Sequence, residues 1–66
     1  MIPIVGDKYS FDLSFGKTVN LVVEAVAIDN ATKKQVFILH KIGCPGCFRK
    51  RLFLEEFLYH SKLKKL

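Results

Sequence analysis

The sequence predicts a small α+β domain, an antiparallel sheet of three to four strands with a C-terminal helix packed across it. Three observations predict it. Apolar and polar residues alternate with period two through residues 8–15. β-Branched residues dominate 18–28 and 35–42, with a cluster of turn formers between them. From Gly43 to Leu66 there is no Val, Ile or Thr, and Leu, Arg, Lys and Glu, all good helix formers, take over.

In KYSFDLSF, residues 8–15, Tyr9, Phe11, Leu13 and Phe15 alternate with Lys8, Ser10, Asp12 and Ser14. Such a strand buries one face and wets the other. Gly16-Lys17 reads as a turn. TVNLVVEAVAI, residues 18–28, resumes with weaker alternation, so its strand is expected to be covered on more of both faces. The stretch from Asp29 to Lys34 leads into a third strand at 35–42, and links this short favour an antiparallel meander. Cys44-Pro45-Gly46-Cys47 is expected as a turn, followed by a helix within 48–63.

The apolar residues of that last segment do not form one stripe. Phe53, Leu54, Phe57 and Leu58 make one helical face, and Phe48, Leu52, Tyr59, Leu63 and Leu66 make another. Two faces need two partners. Either CFRKRLF forms a short fourth strand before a helix begins near Leu54, or one long helix packs on the sheet and also on a second chain, giving a homodimer through the C-terminal helix.

Sixty-six residues make one small domain with a thin core. Such domains often recruit a staple: a metal, a disulfide or a second copy. The longest apolar stretches, LVV, AVAI and VFIL, fall far short of the ~20 residues that span a bilayer, so no membrane partner is expected. MIPIVGDKYSFD lacks a basic n-region and a long apolar h-region, which points to a cytoplasmic chain with reduced thiols. Asn30-Ala31-Thr32 fits a glycosylation sequon that has no use without export.

Eleven Lys and Arg oppose six Asp and Glu, for a net charge of +5. Through Asn30, Lys8 and Lys17 stand against Asp7, Asp12, Glu24 and Asp29, whereas from Lys33 onward nine bases meet only Glu55 and Glu56. A basic C-terminal half draws phosphates or an acidic protein face through its field; alternatively, it keeps a sticky domain soluble.

Most catalytic signatures are missing. Gly16-Lys17-Thr18 ends like a phosphate-binding loop, but Phe11 stands where that loop needs its first Gly. Glu55 and Glu56 are adjacent and point apart on a helix, which is poor geometry for an acid and base pair. Ser10, Ser14 and Ser61 have no base beside them in sequence.

QVFILHKIGCPGCFRKRLFLEEFL, residues 35–58, resembles the first strand, Cys-Pro-x-Cys loop and first helix of glutaredoxin-like proteins. The resemblance implies that Cys44 attacks a disulfide and Cys47 resolves it, with a helix N-terminus stabilising the thiolate. That family's fold also needs a further strand opening on a cis-proline, a hairpin and a final helix. Only 19 residues follow Cys47, and Pro3 is the sole other proline. A looser resemblance covers more of the chain: GDKYSF, the long VNLVVEAVAIDNATKKQVFIL broken by one turn, and a closing LEEFL look like small SH3-like barrels of phage and mobile-element accessory proteins. It implies a platform of a few strands and a terminal helical turn that binds protein or nucleic acid without catalysis. GCPGC is not required by such barrels.

Zinc is the one cofactor the residues suggest. His40, Cys44, Cys47 and His60 have the ligand types of a tetrahedral site, a Pro-Gly turn can aim both sulfurs at one ion, and twelve residues separate Cys47 from His60. Equally, His40 alternates with Val36 and Ile38 as an ordinary sheet residue, and His60 fits an exposed helix position. Arg49, Lys50 and Arg51, with Lys33, Lys34 and Lys41, are the candidate partner-binding cations, and Tyr9, Phe37, Phe48 and Phe53 are candidates for stacking. The expectation is a small basic non-enzymatic module that docks on a larger protein or nucleic acid, as an inhibitor of a nucleic-acid-processing machine or as a direct binder. A zinc-stapled or thiol-redox module is the alternative.

Overall fold

In the computed structural model, which describes residues 2–66, the alternation of the first segment organises β1 (Lys8–Asp12). Tyr9 and Phe11 are buried, and Lys8, Ser10 and Asp12 face away. The strand stops at Asp12. A tight turn at Ser14–Gly16 follows, with Phe15 at φ 63° and 98% exposed, so the core face reaches only as far as a half-buried Leu13.

Strand β2 (Thr18–Ile28) pairs with β1 over its first half, Phe11 opposite Val19 and Tyr9 opposite Leu21. From Leu21 onward it pairs with β3 (Gln35–Lys41), so Leu21 and Val22 are paired on both sides, and the register shifts between Val23 and Ala25. An extra residue on one strand of a pair bends that strand and increases its twist. Glu24 thus marks the irregularity in the β2–β3 pairing, just beyond the last residue that β1 pairs. The expected cover on both faces of β2 does not occur: Val26 and Ile28 stay exposed at the far end.

Beyond the Cys-Pro-Gly-Cys turn the chain runs as β4 (Lys50–Phe53), then α1 (Leu54–Tyr59), then β5 (Leu63–Lys65). The sheet has five strands in the order β4-β3-β2-β1-β5, every neighbouring pair antiparallel. This corrects the expected three to four. Residues chosen for helix propensity were captured by two free sheet edges, because a helix this short is marginal alone while a strand edge offers ready hydrogen bonds. Leu63 pairs with Phe11 on one edge and Leu52 with Phe37 on the other, and both leucines are buried. Of the apparent second helical face, Leu52 and Leu63 are strand residues, Tyr59 ends α1, and Phe48 and Leu66 lie outside both kinds of element.

The core comprises Tyr9, Phe11, Val19, Leu21, Val23, Phe37, Leu39, Leu52 and Leu63, with Leu13, Leu54 and Phe57 packed against it. Helix α1 is positioned by Glu56, whose carboxylate accepts the Phe53 N–H at 2.6 Å, and it lays the Phe57 ring on Tyr9 and Phe37. Glu55 is paired with Lys34 at 3.1 Å. Among the described residues no helix is long and apolar enough to cross a membrane.

Candidate docking groove at the Cys-Pro-Gly-Cys end of the sheet

Two turns meet at one end of the sheet, the β1–β2 turn and the link from β3 to β4. Between them lies an open groove of about 640 Å³ lined by Leu13, Thr18, Val19, Asn20, Lys41, Ile42, Cys47 and Phe48. Backbone pairing fixes its walls. The Ile42 N–H donates to the Asn20 carbonyl at 3.0 Å, and the Leu13 N–H closes the opposite turn on the Lys17 carbonyl at 2.7 Å. Among the described residues no acidic side chain lines the groove.

The β3–β4 link is a stack of turns. Gly43 takes φ 86°, a conformation that suits glycine, and the Cys44 N–H then reaches the Lys41 carbonyl at 3.0 Å. Pro45 and Gly46 form the bend that brings the Cys47 N–H to the Cys44 carbonyl at 3.0 Å, and the Lys41 N–H donates to the Cys47 carbonyl at 3.0 Å. Arg49 clasps the bend from behind: its guanidinium donates to the Pro45 carbonyl at 3.3 Å and meets the Glu24 carboxylate at 3.0 Å.

Phe48, next in sequence to Cys47, sits at φ 51° and is 38% exposed. Its ring centroid lies 5.9 Å from that of Phe11, and the Lys50 ammonium covers both rings, 4.5 Å from Phe11 and 5.1 Å from Phe48. Burial of Phe11 under a cation and a half-open ring gives this end an apolar floor with a positive edge.

Cys44 and Cys47 are bonded to each other as a disulfide, with Cα atoms 5.3 Å apart. The chain after Cys47 enters β4, and α1 begins only at Leu54, so no helix N-terminus stands beside either sulfur. The four residues suggested as zinc ligands are not brought together. His40 donates from Nδ1 to the Lys41 carbonyl at 2.8 Å, while His60 packs edge-on against Phe11 with ring centroids 5.3 Å apart and accepts the Lys62 N–H on Nδ1 at 3.3 Å. Among the described residues no three His, Cys, Asp or Glu side chains gather as a metal-binding group.

The six suggested cations are dispersed. Lys41 lines the groove and Lys50 stacks at its back, whereas Arg49 is engaged by Glu24 and Lys34 by Glu55. Lys33, at φ 62°, and Arg51 are exposed, Lys33 in the β2–β3 turn and Arg51 on edge strand β4. Of the suggested stacking residues, Tyr9 and Phe37 are core and Phe53 is half-buried; only Phe48 is exposed. The groove's own residues, Leu13, Thr18, Val19, Asn20 and Ile42, were missed. The available signal was Phe15-Gly16, where strict alternation runs into a turn and strands an aromatic outside the sheet.

Fold and groove together define a small α+β protein with a curled five-stranded antiparallel sheet and one short helix. Comparison with known protein families, with curated proteins and with solved structures finds no match for the chain.

Proposed function

We propose that this chain is a non-enzymatic binding module that docks on a larger macromolecular partner through the groove between its two turns. The carrying observation is a pair of aromatics, Phe15 and Phe48. Both are exposed, both hold a left-handed backbone, and each belongs to a turn that bounds the same groove. That conformation costs a non-glycine residue about 1–2 kcal/mol, and Phe15, 98% exposed, recovers none of it by packing. Contact with a partner supplies the missing gain. Lys41 in the wall and Lys17 beside Thr18 favour a partner surface of negative charge.

The strand order and the helical turn between β4 and β5 support the SH3-like reading of the sheet. A platform of that type suits an accessory protein or inhibitor acting on a nucleic-acid-processing machine. Direct binding of nucleic acid is the variant to separate from it. Amide resonances titrated with single-stranded and duplex oligonucleotides at low and high salt, and with an acidic peptide, make the separation. Shifts at 13–18 and 41–48 that disappear on combining Phe15→Ala with Phe48→Ala are expected; shifts confined to the far end of the sheet reject the groove.

A second reading, self-association, is favoured by α1, which leaves Leu58 exposed and Tyr59 82% exposed beside the chain's last residues. Sedimentation across a range of concentrations tests it, and a monomer throughout removes it.

A further inference from the structure

We infer that the open edge of β2 from Glu24 to Ile28 is a dimerisation site, and that its occupant is the same stretch of a second copy of this chain, paired antiparallel about Ala27.

The N-terminal stretch covers only part of β2. Pairing with β1 reaches Val22, and beyond it the Val23 carbonyl accepts the Gly6 N–H at 3.0 Å while the Val23 N–H donates to the Asp7 carbonyl at 2.9 Å. There the Ile4–Asp7 turn, closed by the Asp7 N–H on the Ile4 carbonyl at 3.0 Å, takes the chain off the strand. From Glu24 onward β2 has β3 on one side and no strand on the other. Backbone groups in an antiparallel ladder alternate between the two sides of a strand. Ala25 and Ala27 stand opposite Ile38 and Val36, and the Asp29 N–H donates to the Lys34 carbonyl at 2.9 Å. These odd positions therefore bond toward β3, and Val26 and Ile28 turn their N–H and C=O groups outward. Among the described residues no backbone hydrogen bond from outside the strand ladders reaches either one.

The same two residues hold uncovered apolar side chains. Val26 stands opposite Phe37, which is 0% exposed, so Val26 and Ile28 prolong the core face of the sheet, yet they are 38% and 56% exposed. The other free edges are guarded. Strand β4 carries Lys50 and Arg51, and β5 carries Lys64 and Lys65; cations on an edge oppose the addition of a strand. Between Lys17 and Lys33 the chain has no Lys or Arg.

The edge is complementary to itself. An antiparallel pair about Ala27 sets Val26 of each copy opposite Ile28 of the other, and these residues exchange their outward N–H and C=O groups. The two-fold axis stands perpendicular to the sheet, so the core faces of both copies lie on one side. The Val26 and Ile28 side chains of the two copies then close over one another. Each Glu24 faces the other copy's 29–34 turn, where Lys33 is exposed, and the symmetry makes that attraction twice. Such a contact uses the same surface on both copies and stops at two. The docking groove lies at the Thr18 end of β2, so the dimer holds its two grooves at opposite ends; that consequence alone rests on the docking reading.

The test needs only the full chain. Sedimentation from dilute to concentrated solution should show a monomer–dimer equilibrium, and amide hydrogen exchange is followed at both limits. Exchange at Val26 and Ile28 should slow as the dimer forms, whereas Ala25 and Ala27, bonded to β3, stay protected throughout. Val26→Lys, at an exposed position, should keep the native circular dichroism and weaken association about tenfold or more, because the substitution occurs twice in the pair. Ile28→Lys repeats the test from the opposing residue. Leu58→Lys adds the same charge on α1 and should leave association unchanged. A monomer at every concentration, a dimer whose Val26 and Ile28 amides exchange as fast as in the monomer, or assembly beyond two copies overturns the inference. So does a dimer that survives Val26→Lys and is lost with Leu58→Lys, which assigns self-association to the helix. None of these outcomes touches the groove, whose own titrations decide the docking reading separately.

Discussion

Two aromatic groups occupy the two halves of this small core, and they are built differently. In the first, Phe57 from α1 packs edge-on against Tyr9 at 5.0 Å and Phe37 at 5.1 Å. Phe37 is 0% exposed, Tyr9 is buried with the Lys65 ammonium 5.9 Å from its ring centroid, and Phe57 is half-buried. In the second, Phe11 is flanked by Phe48, by the His60 ring and by the Lys50 ammonium, and the groove remains open beside it. The first group is closed by a helix and the second by a turn with a cation. The difference teaches that the halves divide burial unequally: one holds Phe37 fully buried beneath a half-buried Phe57, and the other keeps the Phe48 ring accessible under a positive edge.

The division is broken most directly by truncating each half in turn. Phe37→Ala is expected to cost about 3–5 kcal/mol as a buried aromatic truncation, against a total stability of about 3–10 kcal/mol for a chain of this size. Circular dichroism in urea should show it largely unfolded. Phe48→Ala, at the open half, should cost about 1 kcal/mol. Equal losses for the two substitutions erase the proposed asymmetry.

Opening the disulfide comes next in size. Closing so small a loop is worth up to about 2 kcal/mol by loop entropy, so a reducing agent should lower the unfolding midpoint by up to roughly 8–16 °C with the native circular dichroism intact at room temperature. Loss of the fold on reduction shows that the turn belongs to the stable half after all.

A smaller effect, of opposite sign, is expected at Phe15. Phe15→Gly removes left-handed strain of about 1 kcal/mol or more and adds flexibility to the unfolded chain, for a net gain of about 0.5 kcal/mol. Denaturant midpoints resolve that gain, and a clear loss of stability means that the exposed ring packs on the fold in solution.

The last effect is confined to alkaline pH. Burial, and secondarily the Asp7 carboxylate, raise the Tyr9 phenol above its ordinary value. The unfolded chain therefore loses this proton first as pH rises. Below the ordinary phenol value of about 10 both states are neutral and the group's favourable burial is fully present; above it, stability declines until the folded phenol ionises too. Tyr9→Phe should flatten that decline in an unfolding series from pH 8 to 11, and an unchanged slope assigns the alkaline loss to other groups.

The parts of this molecule that were legible in advance are those written in local pattern. Alternation of Tyr9 and Phe11 with their polar neighbours marks β1, and the β-branched runs mark β2 and β3. The short strand before a helix near Leu54 was one of two open readings, and it is the one the chain adopts. Strand β5 was not legible, since Leu63-Lys64-Lys65 has the composition of a helix end and becomes a strand only because the edge of β1 accepts it. The groove was illegible for a similar reason. Its lining comes from three separated stretches, 13, 18–20 and 41–48, which the β2 pairings bring side by side.

By itself the sequence determined that a basic chain of this length, with no long apolar segment, forms a small α+β domain carrying a Cys-Pro-Gly-Cys turn after its third strand. Period-two hydrophobicity and turn chemistry act between near neighbours and can be read along the chain. Only the tertiary structure decided that Arg49 clasps a turn, that the histidines stand apart from the cysteines, and that Leu13 and Thr18 share one groove with Phe48. Those outcomes depend on which distant backbone edges pair, and hydrogen bonding across a sheet joins residues whose separation in sequence carries no local signal.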